Sequence, residues 1–175
     1  MAVRIAKMED IPHILSIYAP YVEETAYTFE YTVPTVEEFT KRFLNITEQF
    51  PWLVWEENGE VTGYAYASPM AVRASYQWTA DVSIYIKEDF HGSGIGRALY
   101  TALEDILRDL GYFNMLAIIT EENAVSRAFH TSMGYEHQLD LPRVGYKFGR
   151  WLGVSYNVKR LAEGEPVSPP KHWKP

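Results

Sequence analysis

The residues whose spacing best suits chemistry are three glycines at alternate positions, Gly92, Gly94 and Gly96. They lie between a run of alternating apolar residues and a segment with helical apolar spacing. Glycine lets the backbone approach a ligand closely, and a helix start directs unpaired N–H groups and its positive dipole end at that ligand. Arg97 adds a positive charge in the first turn. The loop is therefore predicted to bind a phosphate; the alternative is a turn that only joins strand to helix.

Two common phosphate-binding loops do not fit this segment. A P-loop requires glycine, four residues, glycine, lysine and then serine or threonine, and no such lysine follows here. The dinucleotide fingerprint reads Gly-x-Gly-x-x-Gly, whereas residues 92–96 read Gly-x-Gly-x-Gly and lie in the middle of the chain. These two classes of nucleotide site are therefore excluded.

Composition excludes several other functions. The 175-residue chain has a net charge of −7, which argues against a nucleic-acid partner held through its phosphates. It contains no cysteine, which excludes disulfides, thiolate zinc sites and a cysteine nucleophile, and its histidines show no metal-ligand spacing. The N-terminus lacks the apolar core of a signal peptide, and no stretch approaches transmembrane length. We expect a soluble, cytoplasmic protein with no membrane partner and no metal.

The elements that precede the glycine loop are predicted from caps and turns. A short strand at residues 3–5 is followed by a helix that begins after Asp10 and that Pro20 is expected to end. Thr35 is the predicted cap of a second helix, because glutamates follow it in the first turn. An Asn-Gly pair at 58–59 between two apolar runs predicts a β-hairpin.

The second half of the chain alternates between strand and helix patterns. In order, it predicts a strand at 80–86, a helix to 110, a strand at 115–119, a helix at 123–133, and a strand pair at 139–146 and 151–158. One mixed sheet with helices on both faces fits this order, which is an α+β (mixed α/β three-layer) fold. We expect a single domain over residues 1–161 and a proline-rich tail over 162–175 that lies loosely on the surface.

Several segments resemble a known family. Residues 91–96 resemble the pyrophosphate loop of the GNAT acetyltransferases, Gln/Arg-x-x-Gly-x-Gly/Ala, with a histidine at the first position. Residues 123–135, an Asn-led helix that ends in Gly-Tyr, resemble the second motif of that family. Four more segments resemble the phosphinothricin N-acetyltransferase subgroup: 50–54, 63–67, 76–79 and 145–151. The resemblance extends over residues 3–161 and implies a GNAT fold, with a mostly antiparallel sheet splayed at the cofactor site.

The resemblance also implies acetyl-CoA as the co-substrate. In the family the central strand leaves its neighbour and pairs with the pantetheine arm, which would bring the cofactor to Ile84, Tyr85 and Ile86. The far wall would carry Asn123 and Ser126. Backbone amides of the glycine loop would hold the pyrophosphate: Gly92, Ser93, Gly94, Ile95, Gly96 and Arg97.

Acetylation of an amine needs a base, since such amines are largely protonated at neutral pH, and a group that protonates the departing thiolate. By resemblance, Asp81 occupies the position of the catalytic carboxylate, usually a glutamate; being one carbon shorter, it could act directly or through water. His130 stands where many GNAT enzymes place a tyrosine acid and where this subgroup places a histidine. The alternatives are a solvated sheet carboxylate for Asp81 and a structural histidine for His130.

The acceptor pocket is expected beside the catalytic strand. By resemblance, Arg73 and Tyr76 border it, Phe29 lies in a segment that covers it, and Asp81 contacts the acceptor. Arg73 would pair with a substrate carboxylate; the alternative is a solvent-facing arginine. The subgroup implies the α-amine of an acceptor such as phosphinothricin, methionine sulfoximine or methionine sulfone.

Two rival functions stay open. One is acetylation of another amine, on a polyamine, an antibiotic or a protein N-terminus. The other is a non-catalytic acyl-CoA sensor, which would bind the cofactor without a working base. Lys147 and Trp151 resemble subgroup positions near the subunit contact, and so the resemblance implies a homodimer.

Overall fold

The computed structural model describes residues 2–174, which form one seven-stranded sheet with helices on both faces. The strands are β1 (Ala2–Ile5), β2 (Trp52–Glu57), β3 (Glu60–Pro69), β4 (Thr79–Ile86), β5 (Asn114–Thr120), β6 (Glu136–Lys147) and β7 (Arg150–Arg160). The α-helices are α1 (Ile11–Glu24), α2 (Val36–Thr47), α3 (Ile95–Leu110) and α4 (Ala124–Ser132). The strand order is β1-β2-β3-β4-β5-β7-β6, and only β4 and β5 run parallel. The predicted mixed, mostly antiparallel sheet is therefore confirmed.

Two apolar cores hold the layers together. On one face, Leu99 and Leu103 of α3 are fully buried in a cluster that includes Val82 of β4. On the other face, α1 and α2 cover the sheet, and the Phe43 ring lies 5.1 Å from that of Trp52. Burial of each such side chain contributes about 1.5–3 kcal/mol. The sheet is thus packed on both sides of its central strand, β4.

Local signals set several element boundaries as predicted. The Glu38 amide donates to the Thr35 hydroxyl at 3.2 Å, and the Thr35 amide donates to the Glu38 carboxylate at 2.8 Å, which is a capping box at the start of α2. Asn58 and Gly59 have φ values of +51° and +82°, as a tight hairpin turn between β2 and β3 requires. These features depend on neighbours in the chain, so the sequence predicts them well.

The predicted end of the first helix is wrong. α1 continues through Pro20 to Glu24. Proline removes one backbone donor, but its fixed φ is compatible with a helix. Tyr18 and Val22, on either side of it, are only 5% and 1% exposed. Burial of this apolar face outweighs the lost hydrogen bond.

The proline-rich tail is exposed and has no regular structure, and hydrogen bonds attach it to the domain at two points. The Lys171 amide donates to the Leu110 carbonyl at 2.8 Å, at the last residue of α3. The indole N–H of Trp78 donates to the Ser168 carbonyl at 2.9 Å. A helix end leaves carbonyls without intrahelical partners, and the tail supplies one of the missing donors. The chain beyond β7 is therefore fastened beside α3.

Two properties of the described residues bear on the class of protein. No helix among them is both long enough and apolar enough to cross a bilayer. They also contain no cluster of three or more His, Asp or Glu side chains arranged to hold a metal ion.

Candidate active site

The sheet opens along its only parallel pair. β4 pairs with β5 from Thr79 to Asp81, opposite residues 114–116. Beyond this point β5 follows β7 and β4 follows β3, so the two strands separate. A cleft lies in the gap. It is lined by residues of α1, the segment after it, β4, α3, β5 and α4: Tyr21, Tyr27, Val82, Ser83, Ile84, Tyr85, Tyr100, Ala117, Ile118, Ile119, Thr120, Asn123, Ser126 and His130.

The β3–β4 register shows which backbone groups face the cleft. The Lys87 amide donates to the Thr62 carbonyl at 2.9 Å, and ladder bonds in an antiparallel pair recur at every second residue. Tyr85 therefore bonds to β3, whereas the amides and carbonyls of Ile84 and Ile86 point away from β3, and among them the Ile86 carbonyl already accepts from the Tyr21 hydroxyl. An extended ligand could add to this free edge as an additional strand. Tyr85 presents only its side chain, which packs on the α1 side of the sheet.

The glycine loop has a shape suited to anion binding. Gly92 and Gly94 have φ values of +77° and +89°, which residues with a side chain rarely adopt. α3 begins at Ile95, so the free amides of its first turn open onto the loop. At Gly96 the packing leaves little room, because a Cβ would lie 3.2 Å from side-chain atoms of Ile86 and Phe129, which would have to shift by a few tenths of an ångström. The loop and the free strand edge together fit an extended ligand with a phosphate at one end.

Two other loop residues are exposed and use their side chains locally. The Ser93 hydroxyl donates to the Phe90 carbonyl at 2.6 Å, and the Ser93 amide makes a longer bond of 3.4 Å to the same carbonyl. Arg97 lies 3.4 Å from the Ser132 hydroxyl of α4. The Arg97 guanidinium thus links the first turn of α3 to the last residue of α4.

His91, at the position where the family motif has Gln or Arg, contacts α1. Its Nε2 lies 3.0 Å from the Tyr21 hydroxyl and 3.0 Å from the Ile86 carbonyl oxygen. The Tyr21 hydroxyl itself donates to that carbonyl at 2.6 Å. These contacts join α1 to the end of β4, on the rim of the cleft.

Asp81 stands at the fork, the last β4 residue that pairs with β5. Successive side chains of a strand point to opposite faces of the sheet. Val82 is buried in the core beneath α3, so the Asp81 side chain points to the opposite face, which α1 and α2 cover. Burial raises the pKa of Asp81 to about 6, and a backbone hydrogen bond at Val82 opposes this rise only in part. At neutral pH the carboxylate is mostly ionised and can accept a proton.

His130 is 3% exposed in the cleft wall, and both of its ring nitrogens have partners. Nδ1 lies 2.8 Å from the Ser126 carbonyl oxygen, so it carries the proton. Nε2 lies 3.1 Å from the Tyr100 hydroxyl, which therefore donates to it. Burial lowers the pKa of His130, which keeps the ring neutral. The predicted acid is thus a hydrogen-bonded member of a Tyr100–His130 pair.

Asn123 and Ser126 shape the opposite wall. The Asn123 side chain accepts the Ser126 amide at 3.0 Å and caps α4. Both residues line the cleft. The cap keeps the first turn of α4 facing the gap between the strands.

The acceptor-side residues lie apart from one another. Arg73 and Tyr76 belong to a short exposed turn before β4 and do not line the cleft. Phe29 packs on the backbone of Gly145 in β6, where a Cβ would overlap its ring. The cleft is lined instead by Tyr27 and Thr120, which the sequence did not single out. The aromatic run after α1 was the one signal that could have pointed to Tyr27.

Comparison with known proteins decides the family. The acetyltransferase (GNAT) domain matches residues 3–153. The chain is a GNAT acetyltransferase. The family accounts for the splayed strands and for the glycine loop at the start of α3.

Curated relatives match this GNAT chain over nearly its full length. Phosphinothricin N-acetyltransferase of Streptomyces viridochromogenes is 30% identical, over 99% of this chain and 93% of that protein. L-methionine sulfoximine/L-methionine sulfone acetyltransferase of Salmonella typhimurium is 35% identical, over 93% of this chain and 96% of the relative. L-amino acid N-acyltransferase of Escherichia coli is also 35% identical, over 93% and 95% of the two chains.

Solved structures agree with the fold. The phosphinothricin acetyltransferase of Sinorhizobium meliloti, in complex with acetyl-CoA, superposes with a TM-score of 0.90 at 35% identity, covering 96% of this chain and 92% of that one. An N-acetyltransferase of Staphylococcus aureus gives a TM-score of 0.89 at 32% identity, covering 91% and 98%. The protein is therefore an acetyl-CoA-dependent N-acetyltransferase.

Proposed function

We propose that this enzyme acetylates the α-amine of a small amino-acid-like acceptor, of the phosphinothricin, methionine sulfoximine or methionine sulfone type. The observation that carries the proposal is the position of Asp81, at the fork of the cleft with a pKa raised to about 6. The names of the Streptomyces and Salmonella relatives support this acceptor class.

The chain offers acetyl-CoA two kinds of contact. The amides of Ile84 and Ile86 and the carbonyl of Ile84 would pair with the pantetheine arm, since the Ile86 carbonyl is bonded to Tyr21. Loop amides from Gly92 to Arg97 would hold the pyrophosphate at the start of α3, and Asn123 and Ser126 would form the far wall. When bound, acetyl-CoA supplies a thioester that the acceptor amine attacks directly, with release of the CoA thiol.

Asp81 removes the proton that keeps the acceptor amine unreactive. A carboxylate with a pKa near 6 is ionised at neutral pH and holds a proton better than an ordinary aspartate. The Asp81 side chain points to the α1–α2 side of the sheet, where the acceptor would bind. Because this side chain is short, a water molecule could relay the proton.

The Tyr100–His130 pair lies on the α3–α4 side of the cleft and is the group that protonates the departing thiolate. The Tyr100 hydroxyl has one proton, which it donates to Nε2 of His130, since His130 carries its own proton on Nδ1. To protonate the thiolate, this proton would turn from Nε2 to the sulfur, and the phenolate would then take a proton back from solvent. His130 therefore contributes by holding this hydroxyl in place, in addition to lining the site.

Arg73, Tyr76 and Phe29 would contact the acceptor from outside the cleft. The exposed guanidinium of Arg73 is free to take a substrate carboxylate, as the resemblance implies. We also propose a homodimer through the edge strand β6. Its exposed face, with the following strand, is apolar: Leu139, Leu141, Val144, Tyr146 and Trp151 are each 38–50% exposed.

The test is release of free CoA from acetyl-CoA, followed with a thiol reagent, across a panel of amino acids, polyamines, aminoglycosides and peptides. The protein has no cysteine and does not react with the reagent itself. We expect fast release with phosphinothricin or methionine sulfoximine. Fast release only with a polyamine or a peptide would replace the acceptor, and acetyl-CoA binding without release by any amine would favour a sensor.

A further inference from the structure

Lys147, at the end of β6, is a charged residue buried in the protein. It is 2% exposed, and its ammonium group donates to the carbonyls of Val22, Thr25 and Thr28 at 2.8, 2.8 and 2.9 Å. An ammonium group has three N–H donors, so every one is used. Three backbone carbonyls of a single short stretch therefore depend on one side chain that is far away in sequence.

The Lys147 charge is stabilised by a helix end and, at longer range, by the Glu30 carboxylate. Within residues 2–174, Lys147 forms no ion pair with a carboxylate. Its partners lie at and just after the C-terminus of α1, where unpaired carbonyls carry the negative end of the helix dipole. The buried ammonium thus caps α1 and continues into the segment that follows.

The same segment is fastened to β6 at two further points. The Phe29 ring lies directly against the Gly145 backbone, where any side chain would overlap it. The Tyr31 hydroxyl donates to the Tyr146 carbonyl. Residues 25–31, which we name the acceptor wall, are thus held along three consecutive residues of β6.

The acceptor wall carries a side chain into the active site. Tyr27 lies between Thr25 and Thr28, whose carbonyls Lys147 binds, and it lines the cleft together with residues of α3 and α4. On the far side, Glu30 accepts hydrogen bonds from Tyr18 at 2.6 Å and from Arg42. The wall is therefore fixed from both sides, and Tyr27 has a defined position at the cleft.

We propose that Lys147 is a positioning residue for the acceptor: by fixing the acceptor wall it places Tyr27 and Phe29, and it thereby sets acceptor affinity. The inference rests on the proposed acetylation of a small amine and names the residues that shape its acceptor side. Gly145 also positions the acceptor wall, because the Phe29 ring occupies the space that a side chain at residue 145 would take.

The variants K147M and G145A test this from two directions. K147M keeps the length of the side chain but leaves three carbonyls unpaired, and G145A displaces the Phe29 ring. We expect either change to raise the acceptor KM roughly tenfold or more, as expected when hydrogen bonds to a charged group are lost. The acetyl-CoA KM should rise clearly less, because the backbone groups proposed to bind the cofactor belong to β4 and α3, and only the Tyr27 side chain is shared with its cleft. K159M is the matched control: Lys159 pairs with Glu104 on the α3 side and should leave both constants unchanged.

Hydrogen exchange provides a second measurement that needs no acceptor. Amides of residues 25–31 should exchange faster in K147M than in the wild type, while α3 and β4 keep their protection. Unchanged exchange together with an unchanged acceptor KM would overturn the inference, as would equal rises in both KM values. If K147M does not fold, G145A alone decides. If the wild type acetylates no amine, the proposed function fails while faster exchange of 25–31 still supports the positioning role.

Discussion

The Tyr100 hydroxyl and the Nε2 atom of His130 lie 3.1 Å apart and join α3 to α4 inside the cleft wall. Because Nδ1 of His130 donates to the Ser126 carbonyl, Nε2 is left as an acceptor and Tyr100 is the donor. In this arrangement neither ring nitrogen of His130 has a free proton to donate to a substrate.

Tyr100→Phe and His130→Gln should therefore have similar effects. Each is expected to lower kcat by roughly 10²-fold with little change in the acetyl-CoA KM, as for loss of a general acid. The Tyr100→Phe/His130→Gln double variant should be no slower than the slower single variant, because both residues serve one proton transfer. Steady-state kinetics of the three variants measure this; losses that multiply would show independent roles.

Asp81→Asn should stabilise the protein while removing activity. The pKa of Asp81 is raised from 3.8 to about 6 on folding, so the folded state binds the proton more tightly and its stability falls as the pH rises through this interval. At pH 8 the Asp81→Asn variant should have a free energy of unfolding higher than the wild type by on the order of 2 kcal/mol. At about pH 4 this difference should nearly vanish. Denaturant unfolding measures it. Asp105→Asn, at an exposed aspartate of α3, is the control and should change neither the free energy of unfolding nor the activity.

The pH profile of kcat/KM should show the same group. Activity requires ionised Asp81, so kcat/KM should fall below a pH of about 6 with a slope of one. This apparent pKa is well above that of an ordinary carboxyl because burial disfavours the charge. A profile that stays flat down to pH 4.5 would show that Asp81 is not the base.

Gly94→Ala should weaken acetyl-CoA binding without changing the affinity for the acceptor. The residue has a φ of +89°, which costs a side-chain-bearing residue about 1 kcal/mol, and a changed loop would misdirect the amides. Gly59→Ala is a matched control in the β2–β3 turn: its φ is +82°, and a Cβ at either glycine would meet no atom within 4 Å. Calorimetry should show weaker binding for Gly94→Ala only. Equal affinities in the two variants would argue against the loop as the pyrophosphate site.

Val144→Glu should separate the proposed dimer. Val144 is 50% exposed on the apolar face of β6, where a buried unpaired carboxylate would be strongly unfavourable. Analytical ultracentrifugation should give the wild type about twice the 20.2 kDa chain mass and the variant a single chain mass. Val36→Glu, at a similarly exposed valine of α2, should remain dimeric. A monomeric wild type would remove the proposed interface.

The sequence predicts features that depend on nearby residues. The Thr35 capping box, the Asn58-Gly59 turn and the glycine loop before α3 all follow from short-range backbone chemistry. The resemblance supplied the splayed strand, and the register confirms it by ending the β4–β5 pairing at Asp81.

Features that depend on distant contacts could not be predicted. Pro20 stays inside α1 because the helix face around it is buried, and the tail is fastened because α3 leaves a free carbonyl. Tyr100 lies in an ordinary amphipathic pattern, and only the fold shows that its hydroxyl meets His130. The burial of Lys147 could not be predicted either, because the carbonyls that it binds are more than a hundred residues away in sequence.

The short splice between β4 and β5 has a mechanical consequence. The two halves of the sheet, β1–β4 and β5–β7, are joined edge to edge only from Thr79 to Asp81. Beyond Asp81 no backbone ladder joins the two halves, so side-chain packing must hold them together there. One apolar core does this, since it contains Ala65 of β3 and Ala117 of β5 together with Leu99 of α3. The cleft therefore depends for its width on that core, whereas the backbone at Asp81 is fixed by strands on both sides.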